Sequence, residues 1–297
     1  MHILVTGATG FVGRALCSYL HEHGHELLVI SRSPQTAVKQ LGVPAVARGN
    51  AQAFQDMPVD AIINLAGEPI FDKRWSKTQK KILIESRVSG THDLVALCQI
   101  LKSPPKVLIS GSAMGYYGAQ NDREVTEDTP PSDEFAYRLC KAWEDEAMKA
   151  AELGVRVARI RIGLVLDREG GMLKQMLPAF RIGLGGKVAA GNQYMPWVHR
   201  SDLVRIIDFL LTRDDLDGPF NASAPQPVTN AQFTRTLAHQ LGRPALFTIP
   251  GKALELVLGE RARLLLTGAR MRPARLEEAG FEFRYNTLDE ALGAILA

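Results

Sequence analysis

Over its first 165 positions the chain alternates short apolar runs with longer stretches of mixed polarity. Runs of strand length stand at Ile3–Thr6, Leu27–Ser31, Ala61–Ala66, Val107–Ser110 and Val155–Ile162, with a weaker one at Ala45–Arg48. Apolar residues at helical spacing fill the intervals, most clearly over Arg14–His23, Thr78–Leu101 and Tyr137–Ala151. Strands that alternate with helices predict an α/β fold, a doubly wound parallel sheet covered on both faces. Ligands of such sheets sit beyond the carboxyl ends of the strands. After residue 165 the alternation stops. Gly-rich stretches lead to a helix over Leu203–Leu211, Pro219–Pro227 reads as a loop, and the rest reads as two helices and a short terminal one. The pattern divides the chain into a larger unit, 1–222, and a smaller, mostly helical lobe, 223–297.

The first apolar run ends in Gly7, Gly10 and Gly13, spaced G-x-x-G-x-x-G, and a helical pattern follows. Glycine is the residue that permits a tight turn at Gly7 and leaves the backbone open to a pyrophosphate at Gly10. At Gly13 it allows close packing of helix on strand, and the helix N–H groups face the phosphates. This context makes the fold Rossmann-type and the site a dinucleotide site. No lysine-plus-hydroxyl ending follows, which excludes an ATP-binding P-loop. At the end of the second predicted strand, where a carboxylate would select NAD, the chain has Ser31-Arg32-Ser33. A guanidinium fork flanked by hydroxyls suits a 2′-phosphate, so NADP (NADPH) is the expected cofactor. Asn64-Leu-Ala66-Gly67 closes the fourth predicted strand with small residues that let backbone lie against riboses. The smaller lobe is then expected to carry substrate choice and to close over the cofactor.

The remaining bulk properties narrow the class. A net charge of +3 makes no case for nucleic acid, and no apolar run is long enough to span a bilayer. Three scattered cysteines, Cys17, Cys98 and Cys140, fit neither a disulfide framework nor a zinc site. No His, Cys or carboxylate cluster has metal-ligand spacing. A cytoplasmic protein with a small-molecule substrate, no metal and no membrane or nucleic-acid partner is expected.

Tyr137 and Lys141 stand i, i+4 at the start of a predicted helix. A phenol is a poor base at neutrality, and a neighbouring ammonium favours its phenolate. The pair is therefore a device for moving a proton on or off a substrate oxygen while hydride moves to or from carbon. Ser112, just beyond the fifth predicted strand, could hold the same oxygen from the other side.

Taken in order, the glycine loop, Asn64–Gly67, Ser112 and the Tyr-x-x-x-Lys pair resemble the extended short-chain dehydrogenase/reductase superfamily, in its sugar-nucleotide-epimerase-like branch. Thr6-Gly-Ala-Thr-Gly-Phe-Val-Gly13, Arg161–Leu166 and Pro196-Trp-Val-His-Arg-Ser-Asp202 look like its signatures. Gly67-Glu-Pro-Ile, Lys73-Arg-Trp75, Ser86-Arg-Val88, Gly191-Asn-Gln and the segment Pro273 to Phe283 resemble epimerase family proteins of the YfcH type. The resemblance implies Ser112, Tyr137 and Lys141 as the catalytic serine, tyrosine and lysine, with Lys141 also holding the nicotinamide ribose. The cofactor contacts it implies are Gly7, Thr9, Gly10, Phe11, Val12, Gly13, Ser31, Arg32, Ala66, Gly67, Glu68, Arg74 and Ile162. It further implies a homodimer built through the long helices. The activity it implies is NADP-dependent oxidation or reduction at a carbonyl or hydroxyl. Epimerisation and NADPH sensing without turnover are the alternatives. Arg87 stands where extended members usually carry an asparagine that supports a proton relay.

Lys73, Arg74, Lys77, Lys80, Lys81 and Arg87 form a basic stretch that reads as a solvated helix face. Within it Arg74 and Arg87 are placed to meet an anion, a cofactor phosphate or an acidic substrate. Trp75 and Trp197 read as packing residues. His199 reads as a structural hydrogen-bonding residue. Arg261, Arg263, Arg270, Arg272 and Arg275 read as solvated or paired.

Overall fold

A computed structural model describes residues 1–297. Its centre is a seven-stranded, all-parallel sheet. The strands are β1 (His2–Thr6), β2 (Glu26–Ile30), β3 (Val46–Arg48), β4 (Ala61–Asn64), β5 (Val107–Ala113), β6 (Arg156–Ile162) and β7 (Gly218–Ala222). Their order is β7-β6-β5-β4-β1-β2-β3. The order reverses between β1 and β4, which opens a crevice at their carboxyl ends.

Two strands differ from the sequence expectation. β5 runs on through Ser112 to Ala113, so Ser112 lies inside the strand. β7 occupies residues expected to form a loop. Pro219 lacks a backbone donor, but β7 pairs only with β6 and its outer edge needs no partner. Proline is therefore tolerated there, and the proline-rich composition concealed an edge strand.

Helices α1 (Phe11–Glu22) and α6 (Arg200–Thr212) cover one face of the sheet. Helices α3 (Lys77–Ile100) and α4 (Phe135–Met148) cover the other. Burial on both faces explains why the strands read as unbroken apolar runs: Ile3, Leu4 and Val5 are all fully buried. The short helix α2 (Pro34–Leu41) links β2 to β3, and its proline sits in the first turn, where no N–H is missed.

The smaller lobe contains α5 (Gly171–Arg181), α7 (Asn230–Gln240), α8 (Gly251–Leu258) and the terminal helix Leu288–Leu296. Its core joins Leu173, Phe180 and Trp197 to Phe233, Leu237 and Leu292. The lobe is thus drawn from both sides of Ala222. Leu276 and Phe281 pack on the sheet core itself. Buried Asp202 fastens this tail to α6: its two carboxylate oxygens accept the backbone N–H groups of Arg284 and Tyr285, each at 3.0 Å. No helix is long and apolar enough to cross a membrane.

Candidate functional site: a dinucleotide crevice beside a buried ion-pair network

At the β1–α1 turn the glycines are required by space. Gly7 has φ +71°, and a Cβ there would stand 2.7 Å from the Leu65 carbonyl. A Cβ on Gly13 would lie 2.1 Å from the Gly7 oxygen, so only glycine lets α1 dock this closely. Gly10 accepts the first intrahelical bond, from Arg14 at 3.0 Å, leaving the N–H groups of Phe11, Val12 and Gly13 without intrahelical acceptors. No side chain caps this end and its first turn carries no acid. The turn is an anion cradle on the positive end of a helix dipole. Thr9 lies within the turn, and Phe11 packs against Gly170 and Gly171.

The floor beside this turn is a buried polar chain. Thr6 Oγ1 donates to Asn64 Oδ1 (2.7 Å), Asn64 Nδ2 donates to Thr91 Oγ1 (2.8 Å), and Thr91 Oγ1 donates to the Arg87 carbonyl (2.7 Å). Ala66 N–H donates to Thr6 Oγ1 (3.2 Å), which fixes the strand-end loop that carries Gly67. Arg32 is exposed at the end of β2 without a carboxylate partner, and Ser31 Oγ accepts the Ser33 N–H. Lys73, 3.0 Å away, holds the Glu68 carboxyl below its usual range, and Arg32 adds to the effect. Glu68 thereby stays ionised, its charge countered by Lys73. Ile162 ends β6, half-buried.

Arg74 and Arg87 separate. Arg74 is exposed and lies against the turn at Gly259, in the smaller lobe. Arg87 is half-buried, with its guanidinium against Gly67.

The three expected catalytic side chains are not joined by hydrogen bonds. Ser112 is 3% exposed, and its Oγ donates to Glu144 Oε1 at 2.7 Å. The Lys141 side chain is half exposed and donates to Asp145, which raises its pKa. Tyr137 is half-buried, its ring edge-on to Tyr116 with centroids 5.4 Å apart. The i, i+4 pair that α4 turns toward the end of β5 is Ala136 and Cys140: a Cβ on Gly115 would meet them at 3.1 and 3.7 Å. On the same helix Glu144, the partner of Ser112, stands seven residues beyond Tyr137 and three beyond Lys141. Cys140 stands beside Ser112, and burial pushes its thiol up to about 11.

Behind Ser112 lies a network that sequence reasoning missed. Glu144 and Arg161 are buried and form a two-pronged pair, Nε to Oε1 at 2.9 Å and Nη2 to Oε2 at 3.1 Å. Arg161 Nη1 donates to the Tyr117 hydroxyl and the Glu127 carbonyl, each at 2.9 Å. Tyr117 donates to Asn221 Oδ1 (2.6 Å), and Asn221 N–H donates to Glu127 Oε1 (2.9 Å). Burial raises the Glu127 carboxyl. The one available signal was the apolar stripe of α4: Leu139, Trp143 and Ala147 mark the buried face that includes Glu144.

The other candidates have structural partners. Trp75 and Trp197 are buried, donating to the carbonyls of Ile70 and Gln226. His199 caps α6 by accepting the Ser201 N–H and lies against Tyr285. Arg261 donates to the Phe71 carbonyl, Arg263 pairs with Glu134, Arg270 and Arg272 face Glu124, and Arg275 donates to the Pro219 carbonyl. No group of three or more His, Cys, Asp or Glu side chains could hold a metal ion.

A parallel sheet in this order with a glycine cradle at its switch point defines a dinucleotide-binding α/β protein. Residues 3–222 match the NAD dependent epimerase/dehydratase family, to which the chain belongs, and residues 249–295 match a domain of unknown function, DUF1731. Among its relatives, epimerase family protein Mb2239 of Mycobacterium bovis is 38% identical over 98% of this chain and 96% of its own. Human epimerase family protein SDR39U1 is 35% identical over the full length of both. The crystal structure of human SDR39U1 (isoform 2) with NADPH superposes with a TM-score of 0.89, at 33% identity, covering 99% of each chain. A Thermotoga maritima UDP-glucose 4-epimerase with UDP-glucose, 18% identical and covering 97% of that chain, shares the fold at a TM-score of 0.80.

Proposed function

We propose that this chain binds NADPH and is an NADP-dependent oxidoreductase acting on a carbonyl or hydroxyl of a small substrate. The tight turn of Gly7, Gly10 and Gly13, whose glycines let α1 start hard against β1 and leave its first N–H groups free, carries the reading. The NADPH in the human relative supports the choice of dinucleotide. Phe11, Val12 and Gly13 N–H groups bind the pyrophosphate, and Arg32 with Ser31 binds the 2′-phosphate. When bound, the cofactor supplies or accepts hydride. Ser112 has committed its proton to Glu144 and so offers the crevice lone pairs, which suits a substrate hydroxyl. Tyr137 carries the proton. Lys141 can leave Asp145 at little cost, because an exposed pair is worth about 0–1 kcal/mol.

Calorimetric titration is expected to show NADPH binding at least tenfold tighter than NADH, with the difference abolished in Arg32→Ala. Equal affinities in the parent protein would remove the cofactor assignment.

A second reading, NADPH sensing without turnover, is favoured by the pairing of Lys141 with Asp145 instead of with Tyr137. Tyr137→Phe separates the two readings. The oxidoreductase is expected to lose at least a hundredfold in turnover with an unchanged NADPH Kd. Undiminished turnover in that variant sinks the proton role. A parent protein that binds NADPH but turns over no carbonyl or hydroxyl compound favours sensing.

A further inference from the structure

Arg87 is a cation held partly out of water without a counterion. Its Nη1 donates to the Leu83 carbonyl at 3.1 Å and approaches Ser86 Oγ at 3.5 Å, and no carboxylate is within ion-pair distance. Glu68, the one carboxylate whose charge bears on it, is bound to Lys73. The guanidinium carbon lies 5.2 Å from the Trp143 ring, so the aromatic face supports one side of the plane. A Cβ on Gly67 would stand 2.9 Å from that carbon and 3.0 Å from Nη2. The guanidinium thus lies against the Gly67 backbone.

Burial pulls this guanidinium below its usual pKa range. A desolvated charge without a partner destabilises a fold unless a ligand completes it. Three lysines of the stretch show the contrast: Lys73, Lys80 and Lys81 each face a carboxylate. Position along the crevice narrows the ligand. Leu65 and Ala66 border Gly7, at the phosphate turn, and Gly67 lies one residue further on. Trp143, the ring under Arg87, also lies against Gly111, the residue before Ser112. Arg87 thus belongs to the inner end of the crevice.

We propose that Arg87 is an oxyanion-binding residue, donating through Nε and Nη2 to a phosphate or carboxylate oxygen of a ligand bound at the inner end of the crevice. This deepens the dinucleotide reading and rests on it. The oxyanion has two sources, the dinucleotide's own pyrophosphate or the acidic group of a second molecule. Either explains why an arginine is kept at the edge of a wall otherwise built of glycine, cysteine and tryptophan.

The test is calorimetry on the full chain and on Arg87→Met, which keeps the packing on Trp143 and removes the charge. Three titrants are used: NADPH, 2′,5′-ADP, and inorganic phosphate added to the NADPH-saturated protein. A pyrophosphate contact predicts NADPH binding at least tenfold weaker in the variant, with 2′,5′-ADP unchanged. A second-molecule site predicts unchanged NADPH binding and phosphate binding that the variant loses. Identical titrations in all three arms would overturn the proposal and leave Arg87 a packing residue. Should Arg87→Met fail to fold, Arg87→Gln is read by the same criteria. If the parent protein does not bind NADPH, the dinucleotide reading fails on its own, and phosphate titration of the free protein then decides Arg87.

Discussion

Gly13→Ala is expected to destabilise the protein by about 3 kcal/mol or more and to abolish dinucleotide binding. The added methyl would lie 2.1 Å from the Gly7 oxygen, 2.7 Å from the Ala8 oxygen and 2.8 Å from the Ala8 carbonyl carbon. All three are backbone atoms, so relief requires α1 to move off β1. That movement displaces the N–H groups of Phe11 and Val12, which form the phosphate cradle. Gly90→Ala is the control. Gly90 lies within α3, and its Cβ would meet nothing within 4 Å. Alanine there removes backbone entropy from the unfolded chain and is expected to stabilise by about 0.5–1 kcal/mol. Urea unfolding midpoints of the two variants check the pair, and a Gly13→Ala protein of undiminished stability would refute the packing argument.

Glu144→Ala is expected to cost about 3–5 kcal/mol, because it leaves Arg161 buried and charged without its partner. Arg159 loses a partner as well, at 3.4 Å from Glu144 Oε2. Replacing both charges, Glu144→Met with Arg161→Met, is expected to recover most of that loss, since a well-packed apolar pair of similar volume is often neutral in place of a buried ion pair. Equilibrium denaturation measures both. A loss below about 1 kcal/mol in Glu144→Ala would show that the pair contributes as little as an exposed one. The network also sets the chemistry of Ser112. While Glu144 accepts the Ser112 proton, the serine presents acceptors to the crevice; without Glu144 it would present a donor.

The glycine turn was legible because its constraint is local. Residues 7 to 13 fold against each other and against one neighbouring loop, so spacing alone signals the geometry. The five leading strands were legible because a parallel sheet buried on both faces demands apolar runs. β7 was not, since an edge strand tolerates the Pro219 that marks loops elsewhere. The smaller lobe was legible only as a helical tail: its core unites residues on both sides of Ala222.

What the sequence by itself determined about this protein is a doubly wound α/β sheet, a dinucleotide turn at its N-terminus and an arginine in place of the usual acid at the end of β2. Each follows from neighbours along the chain. Only the tertiary structure decided which face of α4 meets the end of β5. The stripe of Leu139, Trp143 and Ala147 anchors the helix with Ala136, Cys140 and Glu144 inward. Helix rotation is set by the buried apolar area summed over all turns, and a single polar pair cannot outweigh it. The same rotation brings Glu144 to Ser112 and Arg161, residues far apart in sequence, and leaves Arg87 on α3 as the cation beside Gly67.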